Sequence, residues 1–255
     1  MIRTLIAPLC RPLRSLSLAL LLGPMAATAT EPDWSDYRQV LQNHVDRRTV
    51  RGIALAWVNY GRLAADPAWK RTLDRLAGFD SRRLTRREET LAFYINAYNI
   101  LAIKTVVEHW PLASIKDAGN LLWPVWKRAA GVVAGREMAL DDIENDLLRG
   151  LGEPRIHMAI VCASLSCPDL RPEPYNAARL GPQLAAAGRE FLANPGKGLR
   201  VEGGAVRVSK IFDWFAGDFQ PAGGVRAFIA AHRPDLPPDL PIRADLPYDW
   251  SVNGD

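Results

Sequence analysis

Cysteine is scarce in this chain, three in 255 residues, and histidine nearly so, with four. No His or Cys cluster has the spacing of a structural zinc site. There is no glycine-rich phosphate loop, no dinucleotide fingerprint and no serine on a nucleophile elbow. Those absences take nucleotide-dependent chemistry and serine-elbow hydrolysis out of the leading readings, and no motif implies a cofactor. Internal repeats and low-complexity stretches are also missing, so solenoids and disordered arrays are excluded. No acidic residue precedes Glu31.

That last absence marks a distinct N-terminus. Arg3, Arg11 and Arg14 make a basic start, Leu16–Leu22 is a short apolar run, and Gly23-Pro24 breaks it. Ala26, Ala27, Thr28 and Ala29 then supply small residues for a signal peptidase. The run is far shorter than the ~20 residues of a membrane-spanning helix. The order predicts a secretory signal over residues 1–29, cut after Ala29, and a periplasmic or secreted protein. No cysteine follows the run closely, which argues against a lipid anchor, and Cys10 leaves with the signal. Residues 30–255 are then expected as a single globular domain with no membrane span. Cleavage leaves 29 basic against 28 acidic side chains. Such a balance offers no basic field for nucleic acid. The expected partner is an envelope peptide or protein of unknown identity.

Periodicity organises the rest. Trp34, Tyr37, Val40, Leu41 and Val45 have helical spacing. Ile53–Tyr60 reads as a strand or the start of a helix, and Pro67–Leu76 as a helix ended by Gly78. The longest helix is expected over Arg86–Trp110, with Thr85 and Glu88 as its capping box and Pro111 as its stop. Its apolar residues go nearly all round, the mark of a buried helix. Asn96 and Asn99 lie inside that surround one turn apart. A buried amide needs partners, so both are expected to pin a neighbouring backbone or to support a site. Trp123, Pro124 and Trp126 fall in a loop, and Gly131–Met138 suggests a hairpin turning near Gly135. A short helix is expected over Asp141–Arg149, a buried strand over Ile156–Val161, and a helix capped by Asn176 running to about Ala193. Leu199–Ser209 reads as a hairpin with Gly203-Gly204 at its tip. Short helices follow at 211–216 and 225–231, then a proline-rich surface crossing at 234–241. Tyr248, Asp249 and Trp250 are expected to tie down the C-terminus. The sum is a mixed α+β domain, with a buried central helix and short antiparallel strands.

Chemistry concentrates between His157 and Pro168, where a buried segment meets a loop carrying Cys162, Ser164, Ser166 and Cys167. Cys162 and Cys167 present a conflict. In an oxidising compartment two cysteines usually form a disulfide, yet they are also the only candidates for thiol chemistry. As a regular strand, residues 157–162 would place His157 and Cys162 on opposite faces, with backbones ~16 Å apart. A direct thiolate–imidazole pair then requires a bend before Cys162, or a loop that returns Cys167 towards His157.

The motifs Ala92-Phe-Tyr-Ile-Asn-Ala-Tyr-Asn99, Leu140-Asp-Asp-Ile-Glu144, Arg155-Ile-His157 to Cys162 and Ser166-Cys-Pro168 resemble domain-of-unknown-function family 547. So do Ile211-Phe-Asp-Trp-Phe215 with Asp218-Phe219, and Tyr248-Asp-Trp250. The resemblance covers roughly residues 85–250. It implies that Glu144, His157 and Cys162 belong to one constellation. Two departures bear on the loop's backbone and on any anion-holding role for it: Val161 stands where an asparagine is expected, and Ala163 where a glycine is.

Two readings follow. In the first, a fold of the cysteine-peptidase kind serves a thiol hydrolase or acyl transferase acting on peptide or amide bonds in the cell envelope. Cys162 is its nucleophile, His157 its base and Glu144 the group that orients His157. In the second, a Cys162–Cys167 disulfide pins a non-catalytic binding or scaffolding domain that uses Trp123 and Trp126 for recognition. Metal binding by Glu144, His157 and a thiol is weaker, for want of a fourth ligand.

Overall fold

In a computed structural model of the protein the described residues are 30–255, so the expected signal segment lies outside them. The chain is mixed α+β. Helix α1 (Ser35–His44) leads into the hairpin β1 (Val45–Val50) and β2 (Ile53–Val58), followed by the short α2 (Tyr60–Leu63) and then α3 (Pro67–Gly78). Of the two options open for Ile53–Tyr60, the strand is observed, antiparallel to β1. Asp66 opens α3 by accepting from the Ala68 N–H, with Pro67 in the first turn where its missing N–H costs nothing.

Helix α4 (Arg87–Glu108) runs through the centre. It is long and apolar enough to cross a membrane. Its faces are instead covered by protein: Leu91, Ala92, Phe93, Ile95, Ala97 and Ile100 are each fully buried. Its capping acid is Glu89 rather than the expected Glu88. The Glu89 carboxylate accepts from the backbone N–H groups of Thr85 and Arg86, at 2.9 and 3.0 Å, and from the Thr30 hydroxyl at 2.7 Å. The N-cap is Arg86, one residue later than expected, so the acid three positions on is Glu89. These contacts hold the carboxyl well below the usual range.

The hairpin β3 (Ala129–Val133) and β4 (Arg136–Ala139) turns at Ala134-Gly135 and covers one side of α4. A π-helical turn follows over Asp142–Leu148, where a short helix was expected. Helix α5 (Leu180–Leu192) buries Leu180, Leu184 and Phe191. The Asn176 side chain accepts from the Ala178 N–H, capping the turn that leads into it. Strands β5 (Leu199–Glu202) and β6 (Ala205–Val208) form the third hairpin, tipped by Gly203-Gly204, and β7 (Ile242–Arg243) joins β6 in parallel. Between them run α6 (Ile211–Trp214), α7 (Ala216–Phe219) and α8 (Gly224–His232), whose Phe212, Phe219 and Phe228 pack together in a second apolar cluster.

The expected strand over Ile156–Val161 does not form. Residues Pro154–Met158 make a 3-10 turn, opened by Glu153 accepting from the Arg155 N–H. The Ala159 and Ile160 N–H groups both return to the Ile156 carbonyl. The next groups are taken by α4: Asn99 donates to the Ala159 carbonyl at 3.0 Å and accepts from the Val161 N–H at 2.8 Å. With a side-chain amide holding these groups, they are not free for a β-ladder. Asn96 does the same one turn earlier, donating to the Tyr175 carbonyl and accepting from the Tyr175 N–H.

The C-terminal segment is a clasp. Its backbone joins the cysteine loop through Leu165 N to Ser251 O and Asn253 N to Ala163 O, and joins β2 through Val58 N to Asn253 O. Ser166 Oγ accepts from the Asp249 N–H at 2.8 Å.

Candidate active site

A cavity of about 200 Å³ opens where the cysteine loop, the π-helical turn, α4, α6 and the clasp meet. Glu144, His157, Cys162 and Cys167 all line it, as do Trp126, Trp214, Tyr248 and Trp250. The bend at residues 154–158 is what lets His157 and Cys162 share one space despite their spacing in sequence.

His157 is the best defined member. It is 2% exposed and its ring stacks on Phe215, with centroids 4.1 Å apart. Nε2 lies 2.8 Å from Asp218 Oδ2. Asp218 is held in turn by a two-pronged contact from Arg149, at 2.7 and 2.8 Å. Burial pushes the imidazole down to about 4, against the opposing pull of Asp218. At neutral pH the ring is therefore uncharged. With Asp218 ionised, its single proton sits on Nε2, donating to the carboxylate. That leaves Nδ1 with a free lone pair, and this buried atom has no hydrogen-bond partner among the described residues.

Glu144 faces that lone pair, with Oε1 4.0 Å from Nδ1. This is too long for a hydrogen bond. The orienting role assigned to Glu144 belongs, in this geometry, to Asp218. Burial pushes the Glu144 carboxyl up to about 7, while the Tyr98 hydroxyl bonded to it and the Arg149 charge pull the other way. A neutral imidazole thus stands beside a carboxyl whose ionisation burial has pushed up towards neutral pH. One group is ready to accept a proton and the other to give one.

Cys162 and Cys167 are joined as a disulfide. Cys162 Sγ is 3.3 Å from both Ser164 Oγ and Tyr248 Oη, and the Cys162 N–H donates to Cys167 Sγ at 2.8 Å. No hydrogen bond joins Cys162 to His157 among the described residues. Ala163, between the cysteine and the first serine, adopts a left-handed backbone with φ of 57°. Glycine takes that conformation without strain, and a Cβ there costs ~1 kcal/mol or more. This is the position where the resemblance calls for glycine.

The other expected residues divide. Trp126 forms part of the wall and Ser164 sits behind the disulfide. Ser166 serves the clasp, and Asn96 and Asn99 hold the loops from α4. Trp123 is 66% exposed and lines a separate surface hollow. Asp218, Arg149, Tyr98, Tyr248 and Trp214 join the site without having been expected in it. Apart from Arg149 they stand within the motifs that carry the resemblance. Among the described residues no group of three or more His, Cys, Asp or Glu could hold a metal ion.

Residues 81–192 match the family described as protein of unknown function DUF547. The DUF547 stretch contains Asn96, Asn99, Glu144, His157, Cys162 and Cys167, and ends before Asp218, Tyr248 and Trp250. The resemblance is thus matched up to residue 192, short of the 250 read from motifs. No curated protein and no solved structure matches the chain.

Proposed function

We propose that this is an exported hydrolase or acyl transferase of the cell envelope, acting on peptide or amide bonds through a thiol, with an active site built in the manner of a cysteine peptidase. The observation that carries the reading is His157 Nδ1: a buried, unpartnered base, fixed in one tautomer by Asp218, in a cavity that Cys162 also lines. The disulfide is the capped form, and two electrons and two protons from an external dithiol free both sulfurs. Cys162 then gives its proton to Nδ1 and attacks the acyl carbon. Collapse of the tetrahedral adduct expels an amine, which takes the proton from the imidazolium and so restores the neutral imidazole. Water, deprotonated by the same imidazole, releases the acid, or a second amine takes the acyl group. The cavity wall includes the carboxyl groups of Asp141 and Glu144 and, among the described residues, no Lys or Arg. That favours uncharged or cationic substrate groups over anionic ones.

The second reading is a non-catalytic binding domain. It is favoured by the disulfide and by the cluster of Trp126, Trp214, Tyr248 and Trp250, whose neighbouring rings have centroids 4.6–6.0 Å apart.

One experiment separates them. The protein is reduced, reacted with iodoacetamide across a pH series, and mapped by mass spectrometry. The hydrolase reading expects Cys162 to react faster than free cysteine, and to be slowed at least ~10-fold by His157→Ala, the usual scale for losing a positioned base. Reactivity no greater than free cysteine in the reduced protein removes the hydrolase reading and leaves the binding domain.

A further inference from the structure

The connection after α4 carries three consecutive large apolar residues facing outwards: Leu121 is 97% exposed, Leu122 85% and Trp123 66%. Exposed apolar residues are ordinary when scattered, but a contiguous group at a loop tip marks a contact surface. The tip is a built structure. Asn120 Oδ1 accepts from the N–H groups of Leu122 and Trp123, at 3.0 and 2.8 Å, and the Asn120 N–H returns to the Trp123 carbonyl. Its base is anchored by the buried Ile115, Ala118 and Val125. Backbone packs so closely on Gly119 that a side chain there would collide with the Val125 nitrogen. The Arg128 guanidinium donates to the Ala118 carbonyl at 3.0 Å, closing the loop from its other end. The chain thus spends a glycine, a side-chain turn and an arginine on holding two leucines and a tryptophan out in solvent.

We infer that this tip docks the protein on an anionic lipid surface. The shape argues for a bilayer. The feature is a convex point of three side chains, too small for the ~800 Å² that each partner contributes to a stable protein interface. Insertion of two leucines and a tryptophan into the headgroup region needs no matching groove. The charge agrees. Between Asp117 and Glu137 in the sequence there is no acidic residue, while Lys127 and Arg128, which share a surface hollow with Trp123, are basic and exposed. Basic side chains beside an inserted apolar tip add attraction to anionic headgroups. Asp117, at the margin, is occupied in accepting from the Ser114 N–H. Trp126, three residues beyond the tip, belongs to the cavity wall, so docking here brings the cavity close to the leaflet. The inference is independent of whether the cavity is catalytic.

Sedimentation with vesicles tests it, using the protein as the cell processes it. The vesicles are phosphatidylcholine alone or phosphatidylcholine mixed with phosphatidylglycerol. The wild type is expected to sediment with the mixed vesicles, and less with phosphatidylcholine alone or in high salt. The combined change Leu121→Ser, Leu122→Ser and Trp123→Ser is expected to weaken binding at least ~10-fold at an unchanged Tm. Lys127→Glu, which leaves the Arg128 anchor in place, should weaken the preference for phosphatidylglycerol. If the triple variant does not fold, Leu122→Glu alone decides in the same assay. No binding by the wild type at low salt overturns the inference, as does equal binding by the tip variants. So does loss of self-association on changing the tip without any vesicle binding, which would make it a protein interface.

Discussion

His157 and Glu144 show how one cavity separates two titrating groups. Both are buried, and burial disfavours the charged form of each, but the charged forms lie on opposite sides of neutrality. The imidazole is pushed down from 6.5 to about 4. Its contribution to stability is present above pH 6.5 and is lost as pH falls through about 4. The Glu144 carboxyl is pushed up from 4.5 to about 7. Its contribution is complete below pH 4.5 and is lost as pH rises through about 7. Glu144→Gln removes only the second effect. Urea denaturation at several pH values should therefore show the variant gaining on the wild type by ~2–3 kcal/mol between about pH 5 and about pH 8. A difference that does not change with pH would mean that Glu144 is ionised at no cost in the native protein. Little of this could be read from the residues themselves. A histidine in an apolar segment and a glutamate on a helical turn are ordinary, and Asp218 stands 61 positions from its histidine.

At the scale of elements, α4 organises the molecule. Phe93 is fully buried against Phe79 and Tyr94, with centroids 4.9 and 5.0 Å away, and Tyr98 is 3% exposed beneath Glu144. Phe93→Ala and Tyr98→Ala should each cost ~3–5 kcal/mol, the range for emptying an aromatic core site. Chemical denaturation measures this, and losses below ~1 kcal/mol would place the helix at the periphery. The helix was legible because its apolar residues run on every face, and the two asparagines because an amide so placed must bond. The neighbouring segment 156–161 reads as a strand for a related reason. Its apolar run satisfies the pattern of a buried strand, but run length does not show which groups complete its backbone. Here Asn99 completes them. The cap was misplaced by one residue because Thr85-x-x-Glu88 fits the capping-box pattern, while the fold starts the helix one residue later and uses Glu89.

For the whole molecule the C-terminal clasp is a long-range tie, since it joins β2 and the cysteine loop, and its Tyr248 meets Cys162. The protein recovered from the cell should begin near Thr30, and its mass should rise by about 2 Da on reduction, the two hydrogens restored to Cys162 and Cys167. Intact-mass spectrometry reads both values. Retention of residues 1–29 would remove the export reading. A reduced mass in protein handled without reductant would mean that the thiols stand free in the native state.

Local pattern by itself determined the longer helices, two of the three glycine-turned hairpins, the burial of α4 and the mixed class. Each of these follows from periodicity or turn chemistry within about twenty residues. Family motifs brought Glu144, His157 and Cys162 together before any coordinates did. The tertiary structure decided which acid holds the histidine, where the chain bends ahead of Cys162, and that the two sulfurs meet. It also decided that Leu121, Leu122 and Trp123 stand in solvent rather than in the core. The physical reason is the same in each case. A carboxylate's partner, a backbone group's satisfaction and a side chain's exposure depend on what the rest of the chain brings alongside, and residue spacing carries no record of that.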